Sequence, residues 1–400
     1  MRRALVVLVA LVALGAQVSY AAPGASGAGK YIVVLKDSAD SSSVAEKHSS
    51  RYGARVAHVY KHALKGYAAT VPDSRIDELR ADDRVVSVSR DQKVTLAAQT
   101  LPTGIDRVDG ELSSTVAGNG SGSVNVDVAV IDTGIDVDHP DLNVVGGVNC
   151  STGRSYDDGN GHGTHVAGTI AAKDDSNGVV GVAPGARLYA VRVLNNRGSG
   201  SFSSIICGVD WVTARAGTIE VANMSLGGSG TDPSGSGCST GNAFHDAVCK
   251  SVAAGVTHVV AAGNSSADAK NFVPAAFDEV ITISALADFD GEPGGLGAAT
   301  CRSDVDDTFA NFSNYGADVD LIAPGVCIES TWKGGGYNTI SGTSMASPHA
   351  AGAAALYLST RSGTSPATVK SALQGAGTLD WNNVDDPDGI KEKLVNVAGF

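Results

Sequence analysis

The chain has no Cys-x-x-Cys pair, and no Glu stands between the histidines at 162 and 165. Both absences argue against zinc held at the usual spacings. After the first residues no apolar run approaches the roughly 20 residues that cross a bilayer. Basic residues are also short: 29 Lys and Arg stand against 42 Asp and Glu, for a formal net charge of −13. The shortage is uneven. Residues 1–21 carry +2, residues 22–96 carry +3, and the remainder carries −18. So acidic a body argues against nucleic acid as a partner and suits a soluble, exported protein, one compatible with calcium. The 50 glycines among 400 residues follow no strict period, which speaks for many tight turns and against collagen or disorder.

What is present begins with an export signal. Arg2 and Arg3 precede an apolar stretch at 5–14, and Ser19-Tyr20-Ala21 supplies the small residues of a cut after Ala21. The stretch is too short for an anchor. Six cysteines in an exported chain favour disulfides. Six cysteines permit 15 pairings; Cys238 with Cys249 and Cys301 with Cys327 are the sequence-local candidates, which would leave Cys150 with Cys207, and the other pairings stay open.

Residues 30–91 carry the pattern β-α-β-β-α-β, the ferredoxin-like order. Strands are expected at 31–36, 56–60, 67–71 and 85–88, with helices at 42–52 and 72–80. Nothing there suggests catalysis, and His48, His58 and His62 read as surface residues. Residues 92–103 read as a linker or a cleavage region. The expected division is therefore 1–21, 22–96 and 97–400.

From residue 124 apolar strands alternate with helices, which predicts an α/β fold: a doubly wound, mostly parallel sheet covered on both faces. Strands are expected at 124–131, 187–193, 221–224, 257–261 and 280–283. Helices are expected at 163–172, 203–214 and 241–254, with a fully apolar one opening at Ser344. In such folds ligands bind beyond the carboxyl ends of the strands. Asp132 ends the first strand, His162 opens a helix, Asn264 follows the fourth strand, and Ser344 opens the buried helix. Each has an ordinary explanation alone, as a turn former or a helix cap. Together they supply a nucleophile, a base, a carboxylate to orient the base, and an amide for an oxyanion.

Asp132-Thr133-Gly134, His162-Gly163-Thr164-His165 and Gly342-Thr343-Ser344-Met345-Ala346-Ser347-Pro348 resemble the three signature blocks of the subtilases. The order Asp, His, Ser fits that family, and Ala346 excludes a Gly-x-Ser-x-Gly elbow. Ala97-Ala98-Gln99-Thr100 and Asn311-Phe312-Ser313-Asn314-Tyr315-Gly316 are similar to the proteinase K branch. The cysteine positions differ from that branch, and residues 288–308 look like an extra loop around Cys301.

The resemblance implies a secreted, monomeric serine endopeptidase acting on proteins or peptides, with residues 22–96 as its own intramolecular inhibitor and no membrane or nucleic-acid partner. It implies Asp132, His162 and Ser344 as the triad and Asn264 at the oxyanion, with His165 in the core. It implies pocket walls from Ser225, Leu226, Gly227 and Gly228 and from Ala261, Ala262 and Gly263, suited to apolar or aromatic side chains. It implies no catalytic metal, and a structural calcium on Asp278, Val280 and Asp320. The acidic turn at 385–389 could also attract calcium, with a solvated turn as the preferred reading. The competing readings are a non-catalytic subtilase relative that kept the fold, and a transpeptidase or ligase, which would need water kept from the acyl-enzyme.

Overall fold

The structure is a computed structural model that describes residues 28–91, 99–233 and 237–400. The signal stretch, the cut after Ala21 and the junction around Leu96 lie outside the described residues. The chain divides into two compact units, Met1–Leu96 and Ala97–Phe400.

The first unit is built from β1 (Ala28–Leu35), α1 (Ser41–Tyr52), β2 (Arg55–Tyr60), β3 (Gly66–Pro72), α2 (Ile76–Arg80) and β4 (Val85–Arg90). Its sheet runs β2-β3-β1-β4, entirely antiparallel, which is the ferredoxin-like order. Asp40 caps α1 through the Ser43 N–H. Val33, Leu35, Val44, Tyr52, Tyr67 and Leu79 fill the core. His48 corrects the surface assignment. It lies midway between Val44 and Tyr52 at helical spacing, so it points inward and is fully buried. There it meets Tyr67 Oη at 2.6 Å and Asp82 Oδ2 at 3.1 Å. His58 and His62 are exposed, as expected.

The second unit contains α3 (Thr103–Arg107), β5 (Asp127–Asp132), β6 (Val144–Asn149), α4 (His162–Ala171), β7 (Arg187–Arg192), α5 (Phe202–Thr213) and β8 (Val221–Met224). There follow β9 (Gly228–Ser229), α6 (Ala243–Ala253), β10 (Thr257–Ala261), β11 (Phe272–Val273), β12 (Ile281–Ala287), β13 (Thr308–Phe309) and β14 (Leu321–Pro324). The chain ends through β15 (Ile328–Trp332), β16 (Gly336–Ile340), α7 (Thr343–Thr360) and α8 (Pro366–Ala376). The main sheet runs β13-β12-β10-β8-β5-β7-β6, with β14 also beside β12. Every pair in it is parallel except β12 with β13.

Period-two alternation along β5 decides the layers. Val128 and Val130 pack into the face that holds α4 and α7, while Ala129 and Ile131 pack into the face that holds α5 and α6. Continuous apolar runs such as Val-Ala-Val-Ile suit a strand covered on both sides. Strands β6 and β14 were not anticipated. The first is the Gly-rich, half-exposed edge Val-Val-Gly-Gly-Val-Asn, and the second is only four residues long and ends in a proline. Cys150–Cys207, Cys238–Cys249 and Cys301–Cys327 are all bonded, the pairing expected from sequence, and no cysteine is free.

Candidate active site

Strands β10, β8 and β5 are consecutive neighbours and point the same way. Their carboxyl ends therefore stand side by side, about 5 Å from strand to strand. That places Asp132, Ser225–Gly228 and Ala261–Asn264 along one edge of the sheet.

Asp132 is the last residue of β5 and is fully buried. His162 is the first residue of α4, and its Nδ1 lies 2.8 Å from Asp132 Oδ1. The same carboxylate oxygen accepts the Thr133 N–H at 2.7 Å. An anion next to Nδ1 requires a proton on that nitrogen, which leaves Nε2 as the free base. Close packing makes this meeting possible, because a Cβ at Gly163 would collide with the Gly134 carbonyl. Burial alone would lower the His162 pKa. The charge and hydrogen bond of Asp132, with a further contribution from Asp158, outweigh it and hold the imidazole above its ordinary value.

His165, one turn further along α4, is a different case. It is fully buried, and its Nε2 meets the carbonyls of Ile328 at 2.9 Å and Asn338 at 3.1 Å. Burial pushes its pKa down to about 3. It is a neutral core side chain that fastens α4 to the β15–β16 hairpin.

Ser344 is the second residue of α7, so its N–H has no helical acceptor. All but a few residues of this helix are buried, as its apolar sequence predicts. Pro348 falls in the second turn rather than the first. Having no N–H, it cannot bond the carbonyl four residues back, which belongs to Ser344. The Ser225 hydroxyl takes that place, donating to Ser344 O at 2.8 Å. Ser225 Oγ is itself fixed by Asn223 Nδ2 at 2.9 Å, and Asn223 Oδ1 accepts from Ser347 Oγ at 2.7 Å. The Ser344 hydroxyl donates to Ser225 O at 3.2 Å.

Asn264 Oδ1 accepts both the Thr343 N–H at 2.8 Å and the Thr343 hydroxyl at 3.0 Å. A backbone N–H can only donate, so the atom facing Thr343 is the oxygen and the amide NH₂ must point the other way. Gly263, with φ of 108°, makes the turn that presents Asn264. Asn314 braces this turn, donating from Nδ2 to Ala262 O at 2.8 Å and accepting the Ser265 N–H at 2.9 Å.

Two cavities meet at this edge. One of about 780 Å³ is lined by His162, Leu194, Phe202 and Ser225 among others. The second, about 290 Å³, is lined by Ala261, Ala262, Gly263, Phe272 and Val273, with Asn264 and Ser344 also in its wall. Leu226, Gly227 and Gly228 line both, while Ser225 lines only the first. A serine, an imidazole held by a carboxylate, and a fixed amide beside a cavity lined by no charged side chain are the parts of acyl transfer.

Comparison with known proteins agrees. Residues 123–389 match the Subtilase family and residues 30–97 match Peptidase inhibitor I9. The chain belongs to the subtilase family. It is 43% identical over 304 residues to subtilisin DY of Bacillus licheniformis, covering 75% of this chain and 98% of that protein. It is 39% identical over 375 residues to subtilisin amylosacchariticus of Bacillus subtilis subsp. amylosacchariticus, covering 92% and 89%. A solved cold adapted subtilisin-like serine proteinase superposes with a TM-score of 0.60 at 36% identity, covering 74% of this chain and 98% of that one. This subtilase is a serine endopeptidase with an inhibitor-type region ahead of it.

The calcium expected on Asp278, Val280 and Asp320 is corrected by the structure. Lys370 Nζ sits among those three oxygens, at 3.3 Å from Asp278 O, 2.9 Å from Val280 O and 2.8 Å from Asp320 Oδ1. The ammonium uses its three donors on the oxygens a metal would need, so this set does not fit calcium. Sequence saw the acid and missed the lysine that arrives from α8, some fifty residues later.

Three supporting residues of the subtilase site also escaped the sequence reading. Asp158 accepts from Thr133 Oγ1 at 2.9 Å, Gly161 N at 2.9 Å and Thr164 Oγ1 at 2.7 Å, joining the Asp132 turn to the start of α4. An acid four residues before His162, ahead of the helix, was the available signal. Thr343 and Asn314 stand inside the quoted blocks, but their roles were not readable there, since their partners lie far away in sequence.

Proposed function

We propose that the chain is a secreted endopeptidase that cleaves its own N-terminal region, with Ser344 as nucleophile, His162 as general base, Asp132 as its orienting carboxylate and Asn264 as oxyanion donor. The observation that carries this reading is the pairing of buried Asp132 with His162, in a cavity that also holds Ser225, whose carbonyl accepts from the Ser344 hydroxyl. His162 Nε2 takes the Ser344 proton as the hydroxyl attacks a peptide carbonyl. The Asn264 NH₂ and the Ser344 N–H receive the negative charge on the carbonyl oxygen. His162 then protonates the leaving amine, and water, activated by the same imidazole, releases the acid.

The smaller cavity is the proposed primary pocket. Its walls offer no charged side chain, so it favours large apolar or aromatic residues. Cleavage before Ala97 would put Leu96 in that pocket, consistent with the same preference. The region at 22–96 would then remain as a bound inhibitor until degraded. The apolar N-terminus supports export, a relative from Thermus sp. that is 43% identical over 335 residues bears the name extracellular serine proteinase, and among the described residues no helix is long and apolar enough to cross a membrane. The likeness of Asn311–Gly316 to proteinase K supports that branch, and in this structure the same segment braces the Asn264 turn.

The test is intact-mass analysis of the expressed chain beside Ser344→Ala. Loss of everything before about Ala97 in the parent, with retention in the variant, is the expected result. Processing of both forms at the same place would mean that another protease performs the cut.

A further inference from the structure

Near the C-terminus three carboxylates gather without a counter-charge. Asp386, Asp388 and Glu392 each present an oxygen, and these oxygens lie within 4.8 Å of one another. Glu392 is 6% exposed and Asp386 8%. Among the described residues neither oxygen of Glu392 has a hydrogen-bond partner, and Asp386 Oδ2 has none either. Acids so placed repel one another in poor solvent and need a proton or a cation between them.

We propose that Asp386, Asp388 and Glu392 bind one divalent cation whose chemistry is that of calcium. Two oxygens on one calcium, each at about 2.3–2.6 Å, cannot be more than about 5 Å apart, and this set meets that limit. All the donors are hard oxygens, which excludes the thiolate and imidazole environments of zinc and copper. Asp388 is exposed, so the ion has an open side for water and for entry. The ligands sit in one short stretch, Asp386-Pro387-Asp388-Gly389-Ile390-Lys391-Glu392, that spans a single turn. On either side of it the chain is bridged to the body of the unit, Asn382 to Thr308 and Leu394 to Ile322. The ion would thus close the loop between two anchored points and hold the C-terminal segment against the sheet.

The other two groups of possible ligand atoms among the described residues differ from this one. Asp288 and Asp306, near Asp290, are served by Arg107 and by the N–H groups of Phe289, Gly291 and Gly297. Cys249, beside His245 and Glu279, is consumed in a disulfide.

Terbium luminescence tests the proposal, with the full chain carrying Ser344→Ala to prevent self-digestion. Trp381 is a built-in antenna, because its Nε1 donates to Glu392 O at 2.9 Å. Terbium should give saturable, tryptophan-sensitised emission that calcium displaces. Asp388→Asn and Glu392→Gln should each weaken binding at least about tenfold, because each removes a charged ligand. Asp290→Asn should leave it unchanged. Calcium should also raise the melting temperature of the parent, and raise it less in Asp388→Asn. Should Glu392→Gln fail to fold, the exposed Asp388→Asn still decides. Emission that calcium cannot displace, or equal terbium affinity in parent and Asp388→Asn, overturns the site and leaves Glu392 as a protonated core carboxyl.

Discussion

His162 and His165 stand one turn apart on the same helix, and the protein treats them in opposite ways. His162 lies at the lip of a cavity with a buried carboxylate on Nδ1, and its pKa is raised. His165 has no carboxylate partner, its Nε2 meeting two carbonyl groups, and burial pushes it down to about 3. Helical position is nearly the same for both. The partner differs, and the partner decides whether an imidazole can gain and lose a proton near neutrality. Catalytic capacity in this molecule is therefore a property of pairs.

The sharpest way to break the comparison is to remove each ring in turn. His162→Ala should lower kcat by about a million-fold, the scale set by subtilisin rather than measured on this chain, with little change in melting temperature. His165→Gln should do the reverse, keeping kcat within about tenfold while unfolding at lower urea, with about 1–3 kcal/mol of stability lost. Comparable losses of kcat in the two variants would mean that the base has been misassigned.

Next in size is the partner itself. Asp132→Asn should cost roughly ten-thousand-fold in kcat, again a subtilisin-scale figure. It should also move the acidic limb of the pH–rate profile. In the parent, activity falls as pH drops through the raised His162 pKa. Without the anion that pKa falls, so the limb should shift to lower pH. A limb that stays in place would show that Asp132 does not set it.

Smaller again is the effect of acid on folding. His165, His258 and His349 are buried, and their pKa values are lowered to about 3, 4 and 4. The folded state holds these rings neutral, while the unfolded chain protonates them below about 6.5. Their contribution is intact above that pH and is lost as pH falls from about 6.5 toward about 4. His162 has the opposite sign: its raised pKa adds stability below about 6.5 and loses it as pH rises through the folded value. Urea midpoints of parent and His165→Gln between pH 7 and 4 should show a shallower decline in the variant. Parallel curves would sink that assignment.

The smallest expected effect extends the contrast from imidazoles to carboxylates. Asp320 has its cation in Lys370, at 2.8 Å, while Glu392 has none. Lys370→Ala should cost about 1–2 kcal/mol, a modest figure because the ammonium is partly solvated. The vacated oxygens of Asp278, Val280 and Asp320 should then respond to calcium. A calcium-dependent rise in melting temperature that is larger in Lys370→Ala, Asp388→Asn than in Asp388→Asn alone would show it.

Much of this was legible along the chain. The long apolar strands β5, β8 and β10 and the helix from Ser344 announce themselves, because a segment buried on every side must be apolar on every side. The identities of Asp132, His162, Asn264 and Ser344 were readable because each follows a strand or opens a helix within a short local pattern. Edge strand β6 was not, since glycine and solvent exposure erase the alternation that marks a strand. His48 was misread because one polar residue in an apolar stripe finds its partners, Tyr67 and Asp82, in other elements.

By itself, then, the sequence determined the fold class and the family, and it offered candidates for the export signal, the disulfide partners and the groups of the site. Each depends on local periodicity, spacing or residue chemistry. Only the tertiary structure decided which histidine meets a carboxylate, why Ser225 serves the carbonyl left open by Pro348, and which acids find a cation. Those outcomes depend on charges brought together from distant parts of the chain, and the interaction of charges depends on distance and burial, neither of which is written in residue order.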